Sequence, residues 1–89
     1  MVVQLIITGN VQGVGYRYSM FYAAKNYSVT GWVRNRNDGS VEAMAEGEEK
    51  NVRDFVLWAW KGPSLCKVDN VEMTEATGHF DTFEIKPTL

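Results

Sequence analysis

The residues with the most evident chemical potential lie in the stretch Gly9 to Arg17, GNVQGVGYR. Gly9, Gly13 and Gly15 fall within seven positions, so a tight turn or a close approach by another group meets no Cβ there. Backbone N–H groups left unpaired in such a turn, and in the first turn of a helix behind it, can converge on an anion. Arg17 adds a planar fork of N–H donors suited to phosphate oxygens. The spacing matches neither the dinucleotide fingerprint nor the ATP-binding loop. Taken alone, the stretch also reads as a strand-to-helix turn carrying one solvated arginine.

The other reactive residue types carry less. Arg34 and Arg36 flank Asn35 and, on a strand, point away from it, so they can attract an anion generally without ligating it. Asp38 lies in Asn37-Asp38-Gly39, a hairpin signal, and reads as a turn residue rather than an acid. His79 is a lone imidazole without ligand spacing around it, and Cys66 is a lone thiol with the character of a small core residue. Trp32 and Trp58 read as packing residues, as do Met20, Met44 and Met73.

Elements must hold the glycine stretch in place, and the hydrophobic pattern supplies them. Residues 2–8 read as a strand apolar on both faces, which suits a central position in a small sheet. Residues 16–27 bring Tyr16, Met20, Ala23, Ala24 and Tyr27 to one helical face. Residues 32–35 and 40–45 form a hairpin about the Asn-Asp-Gly turn, with Val41 and Ala43 alternating against Glu42 and Met44. A second helix over 48–61 has a stripe of Val52, Phe55, Val56 and Ala59, and Gly62-Pro63 ends it. Leu57 and Trp60 fall on its outer side, where scattered apolar residues are ordinary. Residues 65–73 supply a further strand, and a change of parity between Val68 and Val71 predicts a bulge near Asp69-Asn70. Phe83 and Ile85 form a short last strand after a loop at 77–81. The order β-α-β-β-α-β predicts an α+β sandwich in which both helices cover one face of an antiparallel sheet.

Length and composition bound the answer. Eighty-nine residues are expected to form a single domain, 1–89, and 45% hydrophobic residues supply a packed interior. A net charge of −2 with interspersed signs speaks against a duplex DNA surface, though not against a small anionic substrate. One cysteine excludes the disulfide framework of a small secreted protein. Neither a signal-peptide core nor an 18-residue apolar run is present, so a soluble cytoplasmic protein is expected.

With these residues in view, the chain resembles the acylphosphatase family. VQGVGYR at 11–17 is similar to that family's substrate loop, and GWVRNRNDGSVEAMAEG at 31–47 to its second signature. Phe55 to Pro63 fits its second helix and Gly-Pro turn, and the match runs on to Phe83-Glu84-Ile85. The resemblance implies a ferredoxin-like sandwich of four antiparallel strands with two helices on one face. It also implies hydrolysis of acyl phosphates to a carboxylate and inorganic phosphate, with no metal and no cofactor. Arg17 matches the family's phosphate-binding arginine, Asn35 its catalytic asparagine, and the amides of Gln12, Gly13, Val14, Gly15 and Tyr16 its phosphate cradle. Asn10 departs from a frequently basic position, which trims the local positive field, and Tyr16 stands where phenylalanine is frequent.

The chemistry suits these groups. A carboxylate leaves readily, so the protein must mainly hold the phosphoryl group, neutralise its oxygens and place a water in line. The Asn35 amide can hold that water as acceptor and donor, but it is a poor base. The proton is therefore expected to pass to a phosphate oxygen of the substrate. The partners expected are a small-molecule acyl phosphate and inorganic phosphate as product, with no nucleic acid, membrane or obligate protein partner; the protein is expected to be a monomer. The main alternative is an accessory module of the same fold that binds a phosphoryl or carbamoyl anion. Single-stranded RNA binding calls for exposed aromatics on central strands and basic surroundings, and the aliphatic first strand and negative charge speak against it.

Overall fold

The computed structural model describes all residues, 1–89. In chain order the elements are β1 (Val2–Asn10), α1 (Tyr16–Asn26), β2 (Thr30–Asn35), β3 (Val41–Glu46), α2 (Glu49–Lys61), β4 (Lys67–Glu75) and β5 (Phe83–Ile85). They form one five-stranded sheet in the order β4-β1-β3-β2-β5. β1 pairs antiparallel with both β3 and β4, which gives the central position its apolar pattern predicts.

Period-two patterning explains which face is covered. Val3, Leu5 and Ile7 of β1, Val41, Ala43 and Ala45 of β3, and Val33 of β2 are all fully buried. The cross-strand register sets Leu5 opposite Ala43 and Ala43 opposite Val33, so a small side chain alternates with larger ones under the helices. Tyr16, Met20, Ala23 and Ala24 of α1 and Val52, Phe55 and Ala59 of α2 close the core from one side. Burying each larger aliphatic or aromatic chain there stabilises by about 1.5–3 kcal/mol. Trp58 stacks on Phe55 with ring centroids 6.3 Å apart, a packing role as predicted.

The sheet differs from the four antiparallel strands expected: β5 is a fifth strand, and it runs parallel to β2. Its side chains explain the addition. Phe83 is buried edge-on against Phe55, centroids 6.0 Å apart, which lays its backbone along β2. Gly31 N–H then donates to the Thr82 carbonyl at 2.9 Å, and Lys86 N–H to the Val33 carbonyl at 2.8 Å.

Two local expectations on the opposite edge meet different fates. The bulge is where parity predicts it: Thr8 opposes Asn70 and Gly9 opposes Val68, which leaves Asp69 as the extra residue. Leu65 and Cys66 precede β4 rather than belonging to it. Met73 is not a core residue: it is 44% exposed on this edge strand, in an open depression it shares with Arg53, Val56 and Leu57 of α2. Cys66 is half-buried, with Sγ 3.9 Å from the Val14 carbonyl oxygen. Leu57 of α2 points outward, 68% exposed, as its helical phase requires.

Candidate phosphate-binding site

β1 delivers the chain into the glycine stretch through Val11, whose buried side chain anchors the start of the loop. Gln12 then ties the loop sideways. Its Nε2 donates to the Arg36 carbonyl and to the Ser40 carbonyl, both at 2.8 Å, across the base of the β2–β3 hairpin. Gly13 and Gly15 follow at φ 77° and 85°, a conformation that strains any residue with a Cβ. No atom lies within 4 Å of where a Cβ would stand at either glycine, so backbone sign rather than crowding demands glycine.

Tyr16 fixes the far end of the loop. Its ring is buried 5.7 Å from Trp58, and its hydroxyl donates to the Ala59 carbonyl at 2.8 Å. That carbonyl belongs to the last turn of α2, where carbonyls lack intrahelical partners, so the beginning of α1 caps the end of α2. Burial holds the phenol well above its ordinary pKa, and the hydroxyl stays protonated. Tyr16→Phe is expected to lower stability by about 1–2 kcal/mol, because it orphans a buried carbonyl. Urea unfolding curves measure this, while phosphate affinity stays within about twofold because the backbone amide is retained.

The backbone N–H groups of Gln12 to Tyr18 find no acceptor within the chain. Gly15 caps α1 without any side-chain bond to the helix N-terminus. Of this stretch Gly13, Gly15, Tyr16, Arg17 and Tyr18 line, with Val11, a cleft of about 230 Å³. The chain has four arginines, and three are neutralised. Arg34 pairs with Glu42 at 2.8 Å, Arg53 with Glu49 at 2.9 Å, and Arg36 stands 3.9 Å from Asp38. Arg17 has no carboxylate partner. Free amides, a helix N-terminus and an unpaired guanidinium in one cleft favour an anion.

Asn35 ends β2, on the same face of the strand as buried Val33. Its Oδ1 is buried without a hydrogen-bond partner, while its backbone carbonyl accepts from Leu89 N–H at 3.1 Å. Asn35 does not line the cleft around Arg17. Gln12 connects the two, since it grips the carbonyl of Arg36, the residue after Asn35.

The flanking candidates behave as strand parity dictates. Arg34 lies on the open face, where Glu42 also accepts from Gln4 Nε2 at 2.7 Å and the Arg34 guanidinium covers Trp32. Asp38 accepts from the Ser40 N–H at 2.9 Å and from the Ser40 hydroxyl. These two bonds, with Arg36 behind them, hold its carboxyl below the usual range, as fits a turn brace. Two functional details escaped the sequence. The Gln12 side chain ties to carbonyls 24 and 28 positions away, which no local pattern reveals. Tyr18 lines the cleft, and its signal was an aromatic residue beside Arg17 on the outer face of the helix.

His79 belongs elsewhere, in a depression that also includes Trp32, Asp81, Glu84 and Lys86. Its Nδ1 is 3.3 Å from Glu46 Oε1 and its Nε2 is 3.1 Å from Asp81 Oδ1. The Glu46 hydrogen bond and charge, then Asp81, raise its pKa above the ordinary value. A raised folded-state pKa contributes stability below the unfolded value near 6.5, lost as pH rises through the folded value. Glu46→Gln is expected to move the titration midpoint of this sole imidazole back toward its ordinary value by proton NMR. An unmoved midpoint would remove Glu46 as the cause.

The acylphosphatase family model matches residues 3–85. The chain belongs to the acylphosphatase family. An acylphosphatase from Acaryochloris marina is 48% identical over 81 residues, covering 90% of this chain and 87% of that protein. The crystal structure of acylphosphatase from Bacillus subtilis superposes with a TM-score of 0.91 at 36% identity, covering 97% of this chain and 99% of that one. Full-length HypF, crystallised in its phosphate- and nucleotide-bound form, matches with a TM-score of 0.89 at 31% identity; the match covers 98% of this chain and 12% of HypF. Family membership thus accompanies a two-layer architecture and a loop whose amides and arginine lack internal partners.

Proposed function

We propose that this protein hydrolyses the carboxyl–phosphate anhydride of acyl phosphates, releasing a carboxylate and inorganic phosphate. The observation that carries the reading is the cleft that Gly13, Gly15, Tyr16 and Tyr18, whose amides are unpaired, share with Arg17, the one arginine without a carboxylate partner. Arg17 and the amides hold the phosphoryl oxygens. Their contribution to rate is the part that strengthens as charge shifts onto those oxygens in the transition state.

Asn35 positions the attacking water, a role supported by its match to the family's catalytic asparagine and by the Gln12 side chain, which ties the end of its strand to the loop. The water oxygen forms a bond to phosphorus as the bond from phosphorus to the acyl oxygen breaks. The electron pair leaves with the carboxylate, and the water proton passes to a phosphoryl oxygen. No protein base is required, because a carboxylate needs little help to depart.

Phosphate release from benzoyl phosphate, with chelator present, tests the proposal. Turnover far above the spontaneous rate supports it. A folded protein that binds inorganic phosphate yet shows no turnover overturns it. That outcome favours the accessory-module reading, for which the match to a small part of HypF is the specific observation.

A further inference from the structure

We propose that the Gln12 side chain is a positioning residue: by tying the phosphate loop to the end of β2, it sets where Asn35 holds the attacking water relative to the phosphoryl group. The inference rests on the water-positioning reading of Asn35 and adds a residue that acts through it. Gln12 Nε2 donates to the Arg36 carbonyl and to the Ser40 carbonyl, both at 2.8 Å, and Arg36 directly follows Asn35. No other hydrogen bond joins residues 11–17 to residues 35–41. The rest of the loop is held from the opposite flank of β1, by the Tyr16 hydroxyl on the Ala59 carbonyl at 2.8 Å and by the Cys66 thiol 3.9 Å from the Val14 carbonyl oxygen. Gly13 and Gly15 have no atom within 4 Å of their Cβ positions, so packing does not fix the middle of the loop.

The hairpin itself has little need of Gln12. The Arg36 carbonyl already accepts from Gly39 N–H at 3.2 Å, and the Ser40 carbonyl from Arg36 N–H at 2.9 Å. A carbonyl oxygen has two lone pairs, and Gln12 fills the second on each. Truncating Gln12 therefore leaves neither acceptor without a partner, and the turn keeps its closure. What Gln12 adds is the spacing between hairpin and loop. From the other side, Leu89 N–H donates to the Asn35 carbonyl at 3.1 Å, so the end of β2 is anchored on both flanks.

In-line displacement sets the direction of the effect. The water oxygen must meet phosphorus opposite the departing acyl oxygen, and a misplacement of about 1 Å can cost about a hundredfold in rate. Substrate affinity does not register that misplacement, because Arg17 and the loop amides hold the phosphoryl group wherever β2 ends.

Gln12→Ala and Gln12→Met test this on benzoyl phosphate, each alone and in the Asn35→Ala background; the methionine keeps the bulk of the side chain without its N–H donors. Each alone is expected to lower kcat about tenfold or more, while KM and calorimetric affinity for inorganic phosphate stay within about twofold. In Asn35→Ala the same changes are expected to cost less than about twofold, since the group they position is already gone. A loss that persists undiminished in Asn35→Ala, a loss carried by KM and phosphate affinity, or wild-type kcat in Gln12→Met overturns the proposal. NMR separates this from failure of the parent reading, since it needs no turnover. Saturating inorganic phosphate is expected to shift the Asn35 side-chain amide of the wild type. In Gln12→Met that shift should collapse while those of the Gly13 and Gly15 backbone amides persist, which supports the tie even in a protein without turnover. An Asn35 shift that is absent from the wild type, or unchanged in Gln12→Met, overturns it.

Discussion

Arg17→Ala is expected to lower kcat/KM on benzoyl phosphate by about a thousandfold or more, the scale of losing a charged clamp on a transferring phosphoryl group. Both kinetic constants should move. KM rises because the guanidinium holds the ground-state phosphate, and kcat falls because it also meets the charge that develops on the oxygens. Inorganic phosphate should lose its affinity in parallel, which calorimetry reads without turnover. Arg17 has no carboxylate to leave stranded, so the variant is expected to fold normally. Arg17→Lys should recover only part of the loss, since a point charge replaces a planar fork. A folded Arg17→Ala protein with near-wild-type kcat/KM would remove Arg17 from the reaction.

Asn35→Ala is expected to act differently. Its kcat should drop about a hundredfold to a thousandfold with KM nearly constant, because a misplaced nucleophile costs rate rather than substrate affinity. Stability should stay level or rise. The Oδ1 of Asn35 is buried without a partner, and an orphaned acceptor costs about 1–3 kcal/mol of desolvation. An inactive variant that melts no earlier than the wild type would mark a group retained for chemistry at the expense of the fold. Unchanged kcat would transfer the water-positioning role elsewhere. The pH profile of the wild type should show no essential base near neutrality, since the only imidazole is engaged by Glu46 and Asp81 outside the cleft.

Period and parity carried much of the fold. Val3, Leu5 and Ile7 alternate, Val52, Phe55 and Ala59 recur at helical spacing, and the break between Val68 and Val71 marked the Asp69 bulge. Phe83 to Ile85 was legible as a strand, but its partner and direction were not. The parallel pairing with β2 depends on Phe83 finding Phe55 across 28 positions, a contact no local pattern records. Met73 shows the converse error, because an apolar residue in register still reaches solvent when its strand is at the edge.

In the candidate site, the glycines and Arg17 were readable because backbone freedom and a guanidinium are properties of residue type. The orphaned Oδ1 of Asn35 and the double grip of Gln12 were not, since each exists only once β2, β3 and the loop have met. The family resemblance supplied Asn35 as a candidate, and the structure adds that its Oδ1 is buried without a partner.

The slipped register at Asp69 also bears on how copies of this protein behave in a crowded solution. β4 is nine residues long and has a neighbour on one side only, so its outer row of N–H and C=O groups is a template for joining another sheet. The extra residue kinks that rail, and Lys67, Asp69, Glu72 and Glu75 set charge along it. An approaching second edge would have to straighten the kink and desolvate those charges before forming its first ladder. Removing Asp69 would restore the rail's regularity and, with it, a route to fibrous self-assembly.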